Sequence, residues 1–205
     1  PTLHEKQLII IEDLISKNSL LHPVQEAMVN NHGSQCGFCT PGFVMSLFSK
    51  FKKKSKFNDD EVRDCISGNL CRCTGYQPII KAAKSLKNKN KIDHFEQNKE
   101  NTINLLKKIS TKGISIYKED KKYFAPKHIS DLKKIIKKNV NANFLSGGTD
   151  LSLSVTKERK DINSIIYMNS ISELNYIKNN DEYIEVGAST PLIDFEFYVK
   201  KYYPD

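Results

Sequence analysis

Apolar residues recur at helical spacing through the first part of the chain and give way to short strand-like runs later. Residues 1–13 read as a short extended piece, with Leu8-Ile9-Ile10-Ile11 as a buried strand end. From His22 to Asn31 the periodicity predicts a helix with Pro23 in its first turn, and Gly33 supplies the left-handed residue that stops it. A loop over Ser34–Cys39 follows. Thr40-Pro41 then reads as a hydroxyl cap with proline at the first helical position, opening a helix through Phe43, Val44, Leu47 and Phe48. The unit repeats: Asn58 caps a helix whose first turn carries Asp59, Asp60 and Glu61 against the positive end of the helix dipole, and Gly68 stops it. A second loop, Asn69–Gly75, precedes a helix opened by Pro78 and running through Ile79, Ile80, Ala82, Ala83 and Leu86. Two such helix–loop–helix units predict a four-helix domain with both loops at one end.

Between Lys87 and Lys122 the chain turns to Lys, Asn and Glu, with one weak amphipathic stretch over 103–109, and reads as a linker with a surface helix. Beyond Tyr123 a helix over Ser130–Lys138, a strand over Asn143–Ser146 and a Gly147-Gly148 turn are expected. Strands over 164–168 and 183–187 follow, the latter after a polar turn at Asn179-Asn180-Asp181. The fold class expected is α+β and multidomain.

Composition narrows the field. The 205 residues are 39% hydrophobic and 27% charged, as in ordinary soluble chains, and no run of 18 apolar residues could span a bilayer. No signal-peptide pattern opens the chain, so a cytoplasmic protein is expected. The net charge of +8 suggests nucleic acid first, but the lysines are dispersed and no aromatic residues interleave with them. A solvated basic face, with neither nucleic acid nor membrane as partner, is the expectation.

Five cysteines lie between positions 36 and 73, and none elsewhere. An odd number confined to one segment fits a reduced compartment with a metal site better than a secreted disulfide framework. Cys36 and Cys39 are separated by two residues, Cys71 and Cys73 by one, with 31 residues between the pairs. Four thiolates satisfy either tetrahedral zinc or an iron–sulfur cluster. The C-x-C pair, and loops that run into helix N-termini able to stabilise an anion, favour the cluster, with a structural zinc module as the alternative. Gly37, Gly68 and Gly75 are expected to let backbone approach sulfur. Cys65, at helical spacing with Val62 and Ile66, reads as a small buried hydrophobe.

The stretches His22–Met28, GSQCGFCTPGFVMSL (33–47) and GNLCRCTGYQPI (68–79) resemble the molybdenum hydroxylase family, and within it the small subunit of bacterial-type xanthine dehydrogenases. That resemblance implies a [2Fe-2S] cluster on Cys36, Cys39, Cys71 and Cys73, with Gln35 beside the molybdopterin cofactor of a partner subunit. The run Leu145-Ser146-Gly147-Gly148-Thr149-Asp150-Leu151, with Val155-Thr156-Lys157 after it, resembles the family's FAD-binding segment, as Gly187-Ala188-Ser189-Thr190 resembles a further one. A glycine-rich turn after a strand offers N–H groups to a pyrophosphate. The implied domains are residues 1–13 as the tail of a ferredoxin-like domain, 14–90 as a helical [2Fe-2S]-binding domain, 91–121 as linker, and 122–205 as the N-terminal part of a FAD-binding domain. A chain starting at Pro1 is then expected to be an internal piece of a longer one, working in a hetero-oligomer with a molybdenum-binding large subunit and passing electrons to NAD+ or another acceptor. The implied reaction is purine or xanthine oxidation, with aldehyde oxidase-like and carbon monoxide dehydrogenase-like enzymes as alternatives.

Overall fold

In the computed structural model, which describes residues 3–16, 18–53, 57–87, 92–109, 111–180 and 182–204, the chain divides into two units, Pro1–Ser110 and Thr111–Asp205. The fold is α+β. In the first unit, α1 (Pro23–Asn30), α2 (Thr40–Lys52), α3 (Asp59–Ile66) and α4 (Gln77–Ser85) surround one hydrophobic core. Phe43, Leu47 and Phe51 from α2, Val62 from α3 and Ile79 from α4 are fully buried there. Burying each large side chain contributes about 1.5–3 kcal/mol, so α2 is the centrepiece of the unit.

Residues 8–11 are not a strand end. Ile11–Leu14 form a short 3-10 helix. Ile9 and Ile11 pack on the core while Leu8 and Ile10 stay exposed, so the apolar run is extended chain with one side buried. The stop signal after α1 also differs from the expectation. His32, not Gly33, is left-handed, with φ of 52°. His32 N–H bonds Val29 O at 3.1 Å and Gly33 N–H bonds Met28 O at 2.8 Å, which is the Schellman pattern. A β-carbon at Gly33 would sit 2.8 Å from the Met28 sulfur, so any larger residue there would push that side chain aside. The start of α2 is displaced by one residue: Cys39 is the cap, and the Thr40 hydroxyl bonds Ser34 Oγ at 2.6 Å. Asn58 caps α3 as expected, accepting from Glu61 N–H at 2.9 Å.

The stretch 91–121, expected as linker, holds more structure than its composition signals; residues 88–91 lie outside the described residues. Two helices, α5 (His94–Gln97) and α6 (Lys99–Leu106), belong to the first unit, and Phe95 packs on its core. Strand β1 (Ile114–Lys118) pairs antiparallel with β2 (Lys121–Ala125) in the second unit. Glu119, with φ of 55°, turns that hairpin in the left-handed region.

The sheet continues through α7 (Ile129–Lys138), β3 (Asn143–Leu145), α8 (Leu151–Thr156) and β4 (Ser164–Tyr167). Strand order is β1-β2-β4-β3, with β2, β4 and β3 mutually parallel. Phe124, Leu132, Ile166 and Ile171 form its core. A hairpin of β5 (Ile177–Asn179) and β6 (Ile184–Val186) and the helix α9 (Leu192–Tyr202) complete the unit. Of the expected turn before β6, Asp181 lies outside the described residues.

A buried histidine ties the ends of the first unit together. His22 is 4% exposed. Its Nδ1 accepts from Val24 N–H at 3.2 Å, capping α1, and its Nε2 meets Asp93 Oδ2 at 3.2 Å. The ring stands edge-on to Phe48 and Phe51. Asp93 in turn accepts from Lys52 Nζ at 2.9 Å and caps α5 through Glu96 N–H at 2.9 Å. Burial lowers the His22 pKa below 6.5, more than Asp93 raises it, so the folded chain favours the neutral ring. Burial raises the Asp93 carboxyl, but the Glu96 N–H, Lys52 and His22 outweigh it and hold it below its usual range.

Two predictions follow from these contacts. A group whose folded pKa is depressed stabilises the fold above its unfolded value and loses that contribution as pH falls. The urea midpoint of the chain is therefore expected to drop between pH 7.5 and 5.5, and His22→Asn, which keeps a capping oxygen, to flatten the profile; parallel profiles would contradict this role. At Gly42, in the first turn of α2, a β-carbon would collide with the Asn69 side-chain oxygen, whose amide nitrogen donates to Ser46 Oγ at 2.8 Å. Gly42→Ala is expected to cost about 1–3 kcal/mol by overpacking. Gly68→Ala, with open space around it, should stay within about 0.5 kcal/mol; thermal melts of both variants decide.

Candidate metal centre

Two loops present the four cysteines at one end of the first unit. The first runs from the end of α1 to α2 and carries Cys36 and Cys39; the second runs from α3 to α4 and carries Cys71 and Cys73. Each loop closes directly onto a helix start, with Pro41 and Pro78 inside the first turns. Gly37 (φ 82°) and Gly75 (φ 66°) take the left-handed turns that L-residues resist. Gly68 has no left-handed φ and open space where a β-carbon would sit. The close approach falls at Gly42, where Asn69 of the second loop crosses the first turn of α2. That crossing locks one loop to the other.

All four thiols line a single cavity of about 540 Å³, together with Phe38, Leu70, Arg72 and Tyr76. They pair across the loops. Cys73 Sγ donates to Cys36 Sγ at 3.3 Å, and the Cys71 side chain acts on the Cys39 thiol from the other loop. Each pair thus takes one sulfur from each loop. Among the described residues no three His, Cys, Asp or Glu side chains converge to hold a single metal ion.

The thiols of each pair are electrostatically unlike. Cys36 is lowered, first by the Phe38 N–H and then by the Cys73 thiol. Cys73 is raised, because its proton is given to Cys36. Cys39 is raised by burial and by the Cys71 side chain. Cys71 is lowered to about 7 by the Thr74 hydroxyl and then the Thr74 N–H. Its Sγ lies 3.1 Å from Thr74 Oγ1. Each pair therefore holds one sulfur already inclined to the thiolate form that binds metal. Arg72 adds a positive charge at the rim. Free thiols, N–H donors and a nearby guanidinium suit an anionic, thiolate-bound metal group.

Gln35 is exposed at the head of the first loop and does not line the cavity. Cys65 is half-buried rather than a plain hydrophobe, its Sγ donating to Ser46 O at 3.2 Å, away from the four. Thr74 and Tyr76 were not singled out by spacing, although a hydroxyl residue directly after Cys73 was a visible signal. Tyr76 is itself left-handed, with φ of 68°, and its hydroxyl accepts from Cys71 N–H at 2.9 Å.

In the second unit, Leu145 ends β3, Ser146–Asp150 make the turn and Leu151 begins α8. Gly148 is left-handed at φ 83°. Among the described residues the N–H groups of Gly147, Gly148, Thr149 and Asp150 take no hydrogen bond within the chain. The turn stands at the carboxyl end of a parallel strand, where open α/β sheets bind ligands. Unpartnered N–H groups at such a place suit a pyrophosphate, so the residues present fit a dinucleotide such as FAD. The Gly187–Thr190 stretch follows β6, with Thr190 Oγ1 bonded to Tyr176 N and O.

Comparison with known proteins agrees with this layout. The family model described as a [2Fe-2S] binding domain matches residues 10–84, and that described as a FAD binding domain in molybdopterin dehydrogenase matches residues 117–205. Xanthine dehydrogenase 1 of Arabidopsis thaliana is 53% identical over 76 residues, covering 37% of this chain and 6% of that protein. Aldehyde oxidase 3 of Mus musculus is 43% identical over 84 residues, covering 41% and 6%. The xanthine dehydrogenase of Emericella nidulans is 26% identical over 219 aligned residues, covering 85% and 16%. The chain thus spans between 6% and 16% of the length of these curated relatives. With an iron–sulfur domain and a molybdopterin-dehydrogenase FAD domain following one another along it, the chain belongs to the molybdenum hydroxylase family.

Proposed function

We propose that the chain is the electron-relay portion of a molybdenum-dependent hydroxylase. Its place in the enzyme is between a molybdenum centre in a large partner subunit and FAD with an acceptor such as NAD+. When bound, a [2Fe-2S] cluster on Cys36, Cys39, Cys71 and Cys73 would supply one-electron uptake and release. The observation that carries the reading is the convergence of four thiols from two loops on one cavity, with Cys73 donating to Cys36 across them. Two irons need two thiolates each, whereas a structural zinc needs four sulfurs around one point.

The chain's own residues have separable tasks. The thiols bind. The N–H groups of Phe38 and Thr74 offset negative charge at Cys36 and Cys71. The buried packing of Phe43 beneath Tyr76 holds the second loop, the rings meeting edge-on at 6.1 Å. In the second unit, Leu145 to Leu151 would hold the FAD pyrophosphate by backbone N–H groups. Gln35, exposed beside Cys36, would face the molybdopterin of the partner. The domain reading follows: helical cluster domain over 14–90, FAD-binding part over 122–205.

Xanthine or another purine is the substrate class we assign to the intact enzyme, in the cytoplasm and within a hetero-oligomer. An aldehyde substrate is the second reading, because an aldehyde oxidase matches the cluster unit at 43% identity, close to the xanthine dehydrogenases. The residues that would choose between them belong to the molybdenum-binding partner.

The test is to produce the chain anaerobically with iron, zinc and sulfide supplied, then record its visible spectrum and metal content. Two irons per chain and a red-brown colour bleached by dithionite are expected. A colourless protein holding one zinc would overturn the relay and leave a structural module. Cys71→Ser is expected to lose the colour and, because metal and local fold are coupled, to melt earlier than the parent; an unchanged cluster spectrum in that variant would remove Cys71 from the ligand set.

A further inference from the structure

Around Cys71 the hydrogen bonds have a fixed direction. Thr74 Oγ1 lies 3.1 Å from Cys71 Sγ and accepts from Tyr76 N–H at 3.2 Å. A cysteine that binds metal does so as thiolate and has no proton to give. The single hydroxyl proton of Thr74 must then point at sulfur. Tyr76 closes the ring from the other side, its own hydroxyl accepting from Cys71 N–H at 2.9 Å. Its left-handed backbone, next to a left-handed Gly75, is what turns the Tyr76 N–H back onto Thr74. A left-handed tyrosine is strained, and the two hydrogen bonds offset that strain. Among the described residues, no other side-chain hydroxyl bonds any of the four sulfurs. Thr74 is half-buried, so water competes only in part for the bond.

We propose that Thr74 is a positioning residue that sets the reduction potential of the group held by the four cysteines, through an O–H···S bond to Cys71 whose direction Tyr76 fixes. The inference rests on the cluster reading above. One-electron reduction adds one negative charge to the thiolate-bound core and neither makes nor breaks a bond. A donor aimed at one of the sulfurs stabilises the reduced, more negative state more than the oxidised one. Removing the donor should therefore make reduction harder. Only part of what such a charge-assisted hydrogen bond contributes differs between the two oxidation states. About a tenfold loss in the reduction equilibrium is expected, or about 59 mV for one electron.

The experiment is a redox titration of the full chain with dithionite and mediators, followed by electron paramagnetic resonance of the reduced state. Thr74→Ser keeps the hydroxyl and is expected to keep the potential. Thr74→Val, close in shape, and Thr74→Ala are both expected to shift it to more negative values and to change the g-values. Full cluster content with an unchanged potential in either hydroxyl-free variant would overturn the proposal. So would loss of the cluster from both with retention in Thr74→Ser, since Thr74 would then govern assembly rather than potential. Failure of the cluster reading is separately visible, as an unsubstituted chain with no reducible iron.

Discussion

The first unit depends on sulfurs from two separate loops meeting in pairs. Cys36 with Cys73 and Cys39 with Cys71 each need both loops in place, so neither loop can drift without opening both pairs. What keeps the loops in register is not the sulfur chemistry itself. It is the core beneath, where α2 buries Phe43, Leu47 and Phe51, and the crossing of Asn69 over Gly42 above it. A metal group binding there would inherit a prearranged frame, with one sulfur of each pair already biased toward thiolate by N–H and O–H donors.

That bias follows from backbone turns. Left-handed Gly37 brings the Phe38 N–H to Cys36, and the left-handed pair Gly75 and Tyr76 returns the chain onto Thr74 and Cys71. Backbone geometry thus becomes electrostatics, and electrostatics becomes a redox property. The second unit uses a related economy: a strand, a left-handed Gly148 and a short helix leave consecutive N–H groups unpartnered among the described residues, where a phosphate could take them. In the reading proposed here, both units hold anionic groups mainly through backbone.

Local signals made much of this legible in the sequence. Proline at helix starts, an Asn58 cap and acidic first turns marked α1 to α4, because each signal acts within four residues of where it stands. The grouping of the cysteines was legible too, but not their pairing, which depends on how the loops cross in space. His32 took the left-handed place expected of Gly33 because the Schellman bonds demand a position rather than a residue type. The hairpin of β1 and β2 was hidden: four of the five β1 residues are exposed, and its Glu119-Asp120 turn lacks the glycine that usually announces one. Helix α5 was hidden and α6 was visible only as a weak amphipathic stretch over 103–109, because no residue of either is fully buried.

The most direct measurement is of the pairing itself. Mild oxidation of the metal-free chain, followed by proteolysis after Phe38, Lys53 and Arg72, separates all four thiols onto different peptides for mass spectrometry. Disulfides joining Cys36 to Cys73 and Cys39 to Cys71 are the predicted products, since the first two sulfurs already touch and the other two face each other's loops in the same cavity. Disulfides confined within the loops, Cys36 to Cys39 and Cys71 to Cys73, would contradict the cross-loop frame on which the account rests.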